Sequence, residues 1–201
     1  MNNVIQKARE LLKELEGLYL VPYRCPAGKW TIGYGHNLEA NGLTVDEAKR
    51  VEFDTDVIES STVGRWCRSG LGTREVKDIL PRHIKAIKIT EETAEYILDN
   101  DINGFVNQLS KTPYFNCAPD NVQVALICIS FQCGFAGMHT KIYIDARKLP
   151  GSGYPEQERK YFIDSIRKSD YSRASIILRH ARIFDTTKKR AIKMAELIHT
   201  D

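Results

Sequence analysis

Three side chains near the amino terminus could share acid–base work: Glu16, Cys25 and Thr31. They lie in the stretch EGLYLVPYRCPAGKWTIGYGH, which runs from Glu16 to His36. Cleaving a glycosidic bond needs a carboxylic acid that keeps its proton near neutral pH. It also needs a second group across the sugar ring that attacks or holds water. Glu16 has the setting for the first role. It ends a helical pattern made by Val4, Ile5, Ala8, Leu11, Leu12 and Leu15, capped at its start by Asn2 or Asn3 and stopped by Gly17. The last turn of a helix is the negative end of its dipole, which disfavours a carboxylate and pushes its pKa upward. Cys25 and Thr31 flank the turn Pro26-Ala27-Gly28 of an expected hairpin, with strands over Leu18–Arg24 and Trp30–Tyr34. Taken singly, each residue has a plainer reading. A helix-end Glu is solvated, a hairpin Cys fills space, and a strand Thr reflects β propensity.

The remaining elements must position this stretch. A third short strand is expected after His36. Thr44-Val45-Asp46-Glu47 reads as a capping box that opens a helix to about Ile58. Between Ser60 and Lys88, Ser69-Gly70, Gly72 and Pro81 break every period, so loops with one or two short helices are expected. Thr90 to Leu109 reads as a helix with Ile97, Leu98, Ile102, Phe105, Val106 and Leu109 on its apolar side. Asn121 to Phe131 is nearly all apolar, which predicts a buried central helix started by Pro119-Asp120 and ended by Gly134 and Gly137. A helix after Met138, a loop at Pro150-Gly151-Ser152-Gly153, and helices near Glu156–Lys168, Tyr171–His180 and Thr187–His199 complete the reading. The first third is mixed and the remainder helical.

Composition narrows the class. A chain of 201 residues, 42% hydrophobic and 27% charged, suits one soluble domain or one domain with two lobes. No stretch is apolar enough to span a membrane, and the first residues lack the apolar core of a secretory signal. Five irregularly spaced cysteines argue against a disulfide framework and for a reducing compartment; no CxxC occurs, and Cys128 and Cys133 read as small core residues. From Arg159 to Lys193, 11 Lys and Arg face 3 Asp, a charge of +8 that leaves −5 for the rest of the chain. Such a segment fits an anionic partner: nucleic acid, an acidic wall polymer or lipid headgroups. The plainer reading is a set of solvated helix faces. No aromatic-interleaved basic patch supports a nucleic-acid binder.

The spacing Glu16, eight residues, Cys25, five residues, Thr31 resembles the Glu–(Asp or Cys)–Thr triad of the phage-type lysozymes, glycoside hydrolase family 24. The string Thr31-Ile32-Gly33-Tyr34-Gly35-His36 agrees with it. Ile89-Thr90 with Glu91, Glu92, Ala94 and Asp101 is similar to the family's helix after the hairpin lobe. Ala125-Leu126-Ile127 and Phe131-Gln132-Cys133-Gly134 are similar to the central helix of the T-even branch, and Thr187, Arg190 and Ala191 to its T-x-x-R-A element. Cys25 stands where that branch has Asp. Tracts between Ile58 and Lys88 and from Pro150 to Glu158 look inserted; the first is expected to tune substrate access or partner binding and to be dispensable for cleavage.

The resemblance implies a mainly α (α+β), two-lobe lysozyme-like domain. Residues 1–88 would carry the first helix and the β-containing lobe, and 89–201 the helical lobe. The cleft would bind bacterial peptidoglycan, and the reaction would be hydrolysis of the β-1,4 bond between N-acetylmuramic acid and N-acetylglucosamine. Glu16 would be the acid, with Cys25 and Thr31 holding water on the opposite face, giving inversion. Gly35, Phe131, Gln132, Thr187 and Arg190 would contact substrate, and His36 would be structural. No metal or cofactor is implied, and neither nucleic acid nor stable membrane insertion is. The expected protein is a monomeric endolysin, held in the host cytoplasm until release to the wall, or else a virion-borne enzyme. A lytic transglycosylase and a catalytically inactive wall-binding module are the competing readings.

Overall fold

The computed structural model describes residues 1–53, 87–145 and 159–199. It divides into two compact units, Leu12–Asp101 in one and Met1–Leu11 with Ile102–Asp201 in the other. The fold is mainly helical with small antiparallel sheets, the α+β class expected. Among the described residues no helix is long and apolar enough to cross a membrane.

Helix α1 (Asn2–Glu16) begins in one unit and ends in the other. Both early asparagines lie inside it, so neither is the residue before its first turn. It buries Val4, Ala8 and Leu12 on one stripe and stops at Gly17, whose φ of +70° a side chain rarely adopts.

The unit of Leu12–Asp101 continues with strands β1 (Tyr19–Arg24), β2 (Trp30–Gly33) and β3 (His36–Asn37), antiparallel in that order. Tyr23 pairs with Thr31, and Thr31 with Asn37. The β1–β2 register shifts between Tyr19 and Tyr23, the stretch that contains Pro22, which has no N–H for a ladder. Gly33 has φ of +63°, a conformation that side chains rarely adopt, and packs closely against Ala94, whose Cβ would lie 3.4 Å from a Cβ placed there.

Asn37 then caps a short helix, α2 (Leu38–Asn41), its side chain accepting from the Glu39 and Ala40 N–H groups. The capping box at Thr44 opens α3 (Val45–Lys49) as expected. This helix ends at Lys49 and not near Ile58. Arg50 closes it, and β4 (Glu52–Phe53) pairs with β5 (Ile87–Lys88) instead. A strand partner more than thirty residues away overrides the local helical signal. The buried Glu47 of the capping box accepts from Thr44 N at 2.7 Å and from Asn100 Nδ2 at 2.8 Å, so it also grips α4 (Glu91–Leu109). Thr90 starts α4, its Oγ1 accepting from Thr93 N at 3.1 Å.

The second unit is built on α6 (Asp120–Cys133), which follows the short α5 (Pro113–Asn116). Every residue from Val122 to Ser130 is buried. A helix covered on all sides needs no polar face, which accounts for a run that is apolar apart from Gln123 and Ser130. Gly134 ends it, whereas Gly137 sits inside the next helix, α7 (Phe135–Thr140). Beyond Thr140 the expected helix gives way to β6 (Tyr143–Asp145), paired with β7 (Arg159–Tyr161). The facing rings of Tyr143 and Tyr161, 5.5 Å apart with Arg159 over Tyr143, form a cross-strand cluster that favours the ladder.

Helix α8 (Phe162–Arg167) therefore starts later than the sequence pattern indicates. Then come α9 (Tyr171–His180), a 3₁₀ segment (Arg182–Thr187) and α10 (Lys188–His199). Helix α10 packs on α9 and α6, with Ser175 Oγ donating to Ala195 O at 2.9 Å and Asn121 Nδ2 to Leu197 O at 2.7 Å. The basic residues here include the exposed pairs Arg167–Asp164 and Arg173–Asp170, each worth less than about 1 kcal/mol.

Cys25, Cys117, Cys128 and Cys133 are thiols outside any disulfide. Cys128 is fully buried, and burial pushes the Cys133 thiol up to about 12, with Lys141 opposing. Cys67, most of the tract between Ile58 and Lys88, and the tract from Pro150 to Glu158 lie outside the described residues.

Candidate active site

The hairpin brings Cys25 and Thr31 to one backbone atom. The Cys25 N–H donates to the Lys29 carbonyl at 3.0 Å, and the Thr31 hydroxyl donates to the same oxygen at 3.1 Å. The Gly28 N–H closes the turn onto Cys25 O at 2.7 Å. Thr31 is 4% exposed and Cys25 half-buried. Because the hydroxyl proton of Thr31 is committed to Lys29 O, the oxygen's lone pairs are left to accept a hydrogen bond. A water could therefore donate to Thr31.

Glu16 ends α1 in the same unit, and only Gly17 and Leu18 separate it from β1. It is half-buried, and its Oε1 is shielded from solvent. One turn earlier, Lys13 pairs with Glu95 of α4 and lies over the Tyr34 ring at 5.4 Å. The Glu95 hydrogen bond, against the opposing effect of burial, raises the Lys13 pKa above its ordinary value. These contacts hold the last turn of α1 against the α4 segment of its own unit.

Gly35 is half-buried between β2 and β3. His36 is buried, with Nδ1 2.8 Å from Asp101 Oδ2 and its Nε2–H donating to Gly42 O at 2.6 Å. Burial opposes a charged ring most strongly. The Asp101 charge and hydrogen bond, the Gly42 carbonyl and the Glu47 charge together outweigh it and raise the His36 pKa above 6.5.

Phe131, Gln132, Thr187 and Arg190 belong to the other unit. Phe131 is half-buried and meets Phe105 edge-on at 6.2 Å. Gln132 is half-buried at the end of α6, with both amide heteroatoms shielded from solvent and without a hydrogen-bond partner among the described residues. A shielded side-chain amide is satisfied only by a polar partner. Thr187 ends the 3₁₀ segment and Arg190 stands in the first turn of α10, both half-buried.

Two contributors to the hairpin's geometry have no signature at triad spacing. One is the Lys29–Trp30 peptide group. The other is Glu39, whose carboxylate meets the hairpin from α2. The only sequence hint of Glu39's place is Asn37, a good capping residue two positions earlier.

The mainly helical fold with its small antiparallel sheet is of the lysozyme-like class. A family model described as phage lysozyme matches residues 13–147, well over half of the chain, and the protein belongs to that family. The match includes Glu16, Cys25, Thr31, Gly35, His36, Phe131 and Gln132; Thr187 and Arg190 fall beyond it. An endolysin of Acyrthosiphon pisum secondary endosymbiont phage 1 is 46% identical over 59 residues, which is 28% of this chain. The alignment spans 40% of that relative's length.

Proposed function

We propose that the protein is an endolysin that hydrolyses the β-1,4 bond between N-acetylmuramic acid and N-acetylglucosamine in bacterial peptidoglycan. The observation that carries the proposal is the convergence of Cys25 and Thr31 on one carbonyl, in a phage lysozyme chain whose first helix ends on Glu16. Glu16 donates its proton to the leaving glycosidic oxygen. Cys25 and Thr31 hold water on the opposite face of the ring, and the product anomer is inverted. The orphan amide of Gln132, with Phe131, supports a role for these two in binding the N-acetyl sugars, as the shielded amide needs hydrogen-bond partners. Gly35, Thr187 and Arg190 contact substrate in the same reading. The enzyme is made in the host cytoplasm, reaches the wall on lysis and acts as a monomer.

Digestion of purified peptidoglycan tests this reading. Hydrolysis creates free reducing ends and muropeptides carrying one added water per bond cut. Products lighter by one water would assign a transglycosylase instead, and no cleavage would leave a binding module.

Cys25 is expected to work as a water-holding group. Cys25→Asp should keep substantial activity, since a carboxylate holds and activates water at least as well as a thiol. Cys25→Ala should lose about tenfold or more in kcat. Initial rates on the same substrate decide it, and near-wild-type turnover by Cys25→Ala would remove the residue from the mechanism.

A further inference from the structure

The two faces of one peptide group are used differently in the hairpin. The carbonyl of the Lys29–Trp30 peptide accepts from the Cys25 N–H and the Thr31 hydroxyl. Its N–H, on Trp30, donates to Glu39 Oε1 at 3.1 Å. The same carboxylate receives Lys29 Nζ on Oε2 at 3.1 Å and Arg24 Nη1 on Oε1 at 3.2 Å. Arg24 in turn donates to Gly28 O and lies over the Trp30 ring at 4.2 Å. Glu39 is itself fixed, because its helix is capped by Asn37, the residue paired with Thr31 across β2 and β3.

We propose that Glu39 is a positioning residue for the hydrolytic site: by accepting the Trp30 N–H it sets the plane of the Lys29–Trp30 peptide, whose carbonyl gathers Cys25 and Thr31. The inference rests on the hydrolase reading given above. The backbone contact carries the effect and the ion pairs do not. Arg24 and Lys29 are about half exposed, at 53% and 52%, and pairs of that kind contribute little. A peptide plane has one orientation, so losing its N–H partner lets both Cys25 and Thr31 drift. The Trp30 N–H first, and then Lys29, hold the Glu39 carboxyl below the usual carboxylate range. Glu39 is therefore the ionised acceptor at neutral pH.

Two substitutions separate the backbone contact from the charge. Glu39→Asp keeps the charge, which the long Arg24 and Lys29 side chains can follow, but withdraws the acceptor from the fixed N–H by one methylene. Glu39→Gln loses the charge and keeps an oxygen at full reach. Steady-state kinetics on peptidoglycan, with thermal unfolding of each variant, should show kcat of Glu39→Asp reduced about tenfold with KM little changed. Glu39→Gln should restore more than half of the wild-type kcat. Amide hydrogen exchange at Trp30 and Cys25 should quicken in Glu39→Asp and not in Glu39→Gln. Wild-type kcat or unchanged exchange in Glu39→Asp would overturn the proposal, as would Glu39→Gln falling as far as Glu39→Asp. Wild-type protein and Glu16→Gln run beside them keep the two readings apart. If the wild type cleaves and Glu16→Gln does not, a silent Glu39→Asp condemns only Glu39's role. If Glu16→Gln cleaves like the wild type, the hydrolytic mechanism fails and Glu39's role with it.

Discussion

Glu16→Gln is expected to fold normally, bind peptidoglycan, and cleave it at least roughly a hundredfold more slowly than the wild type. The amide matches the carboxyl in shape, so the last turn of α1 and the Lys13–Glu95 pair beside it have no reason to move. What the amide lacks is a proton it can give to the leaving oxygen. General acid catalysis contributes about 10²–10⁴-fold, and a sugar alkoxide is a poor leaving group, so the loss should be at the upper part of that range. The defect should appear in kcat with KM little changed, because the proton transfer matters in the transition state and not in ground-state binding. Wild-type activity should fall on the alkaline side as the acid ionises, and the residual activity of Glu16→Gln should not follow that limb. Turnover of Glu16→Gln at the wild-type rate, in a folded sample, would exclude Glu16 as the acid.

Asp101→Asn is expected to cost about 3 kcal/mol of stability at pH 6, near the low end for breaking a buried charged pair. In a chain of this length that corresponds to a fall of roughly 10 °C in Tm. His36 is sealed between Asp101 and the Gly42 carbonyl, so an asparagine in place of the carboxylate leaves a buried ring without its counter-charge.

The pH dependence has a definite sign. His36 has a raised pKa in the folded state, so the native protein binds more protons than the unfolded chain across that interval, and stability falls as pH rises. The His36 contribution is complete below about 6.5, the unfolded value, and disappears as pH climbs through the folded one. The gap between wild type and Asp101→Asn should therefore narrow at alkaline pH. Chemical denaturation from pH 5 to 9 measures it. A gap that stayed constant over that range would show that the pair contributes through shape and not through charge.

Much of the local architecture is written in single residues and short spacings. Gly17 ends α1 where a left-handed residue is needed, and this puts Glu16 in the last turn. Thr44 and Glu47 open α3, Thr90 opens α4, and the nearly all-apolar run makes α6 the buried helix. The hairpin follows from its turn residues and its alternation. These features depend on neighbours within a few positions, so the sequence by itself determines them, and with them the spacing of Glu16, Cys25 and Thr31.

Other features depend on partners far along the chain. Helix α3 stops at Lys49 because Glu52 and Phe53 find Ile87 and Lys88, and the segment after Thr140 extends because Tyr143 meets Tyr161. His36 acquires its charge partner from a residue 65 positions away. Glu39 reaches the Trp30 N–H only because a four-residue helix turns it back onto the hairpin. No local pattern encodes such a pairing, since each partner taken alone is an ordinary strand, histidine or surface glutamate. Only the tertiary structure decides which of them meet, by bringing together hydrogen-bonding groups that cannot be buried unpaired.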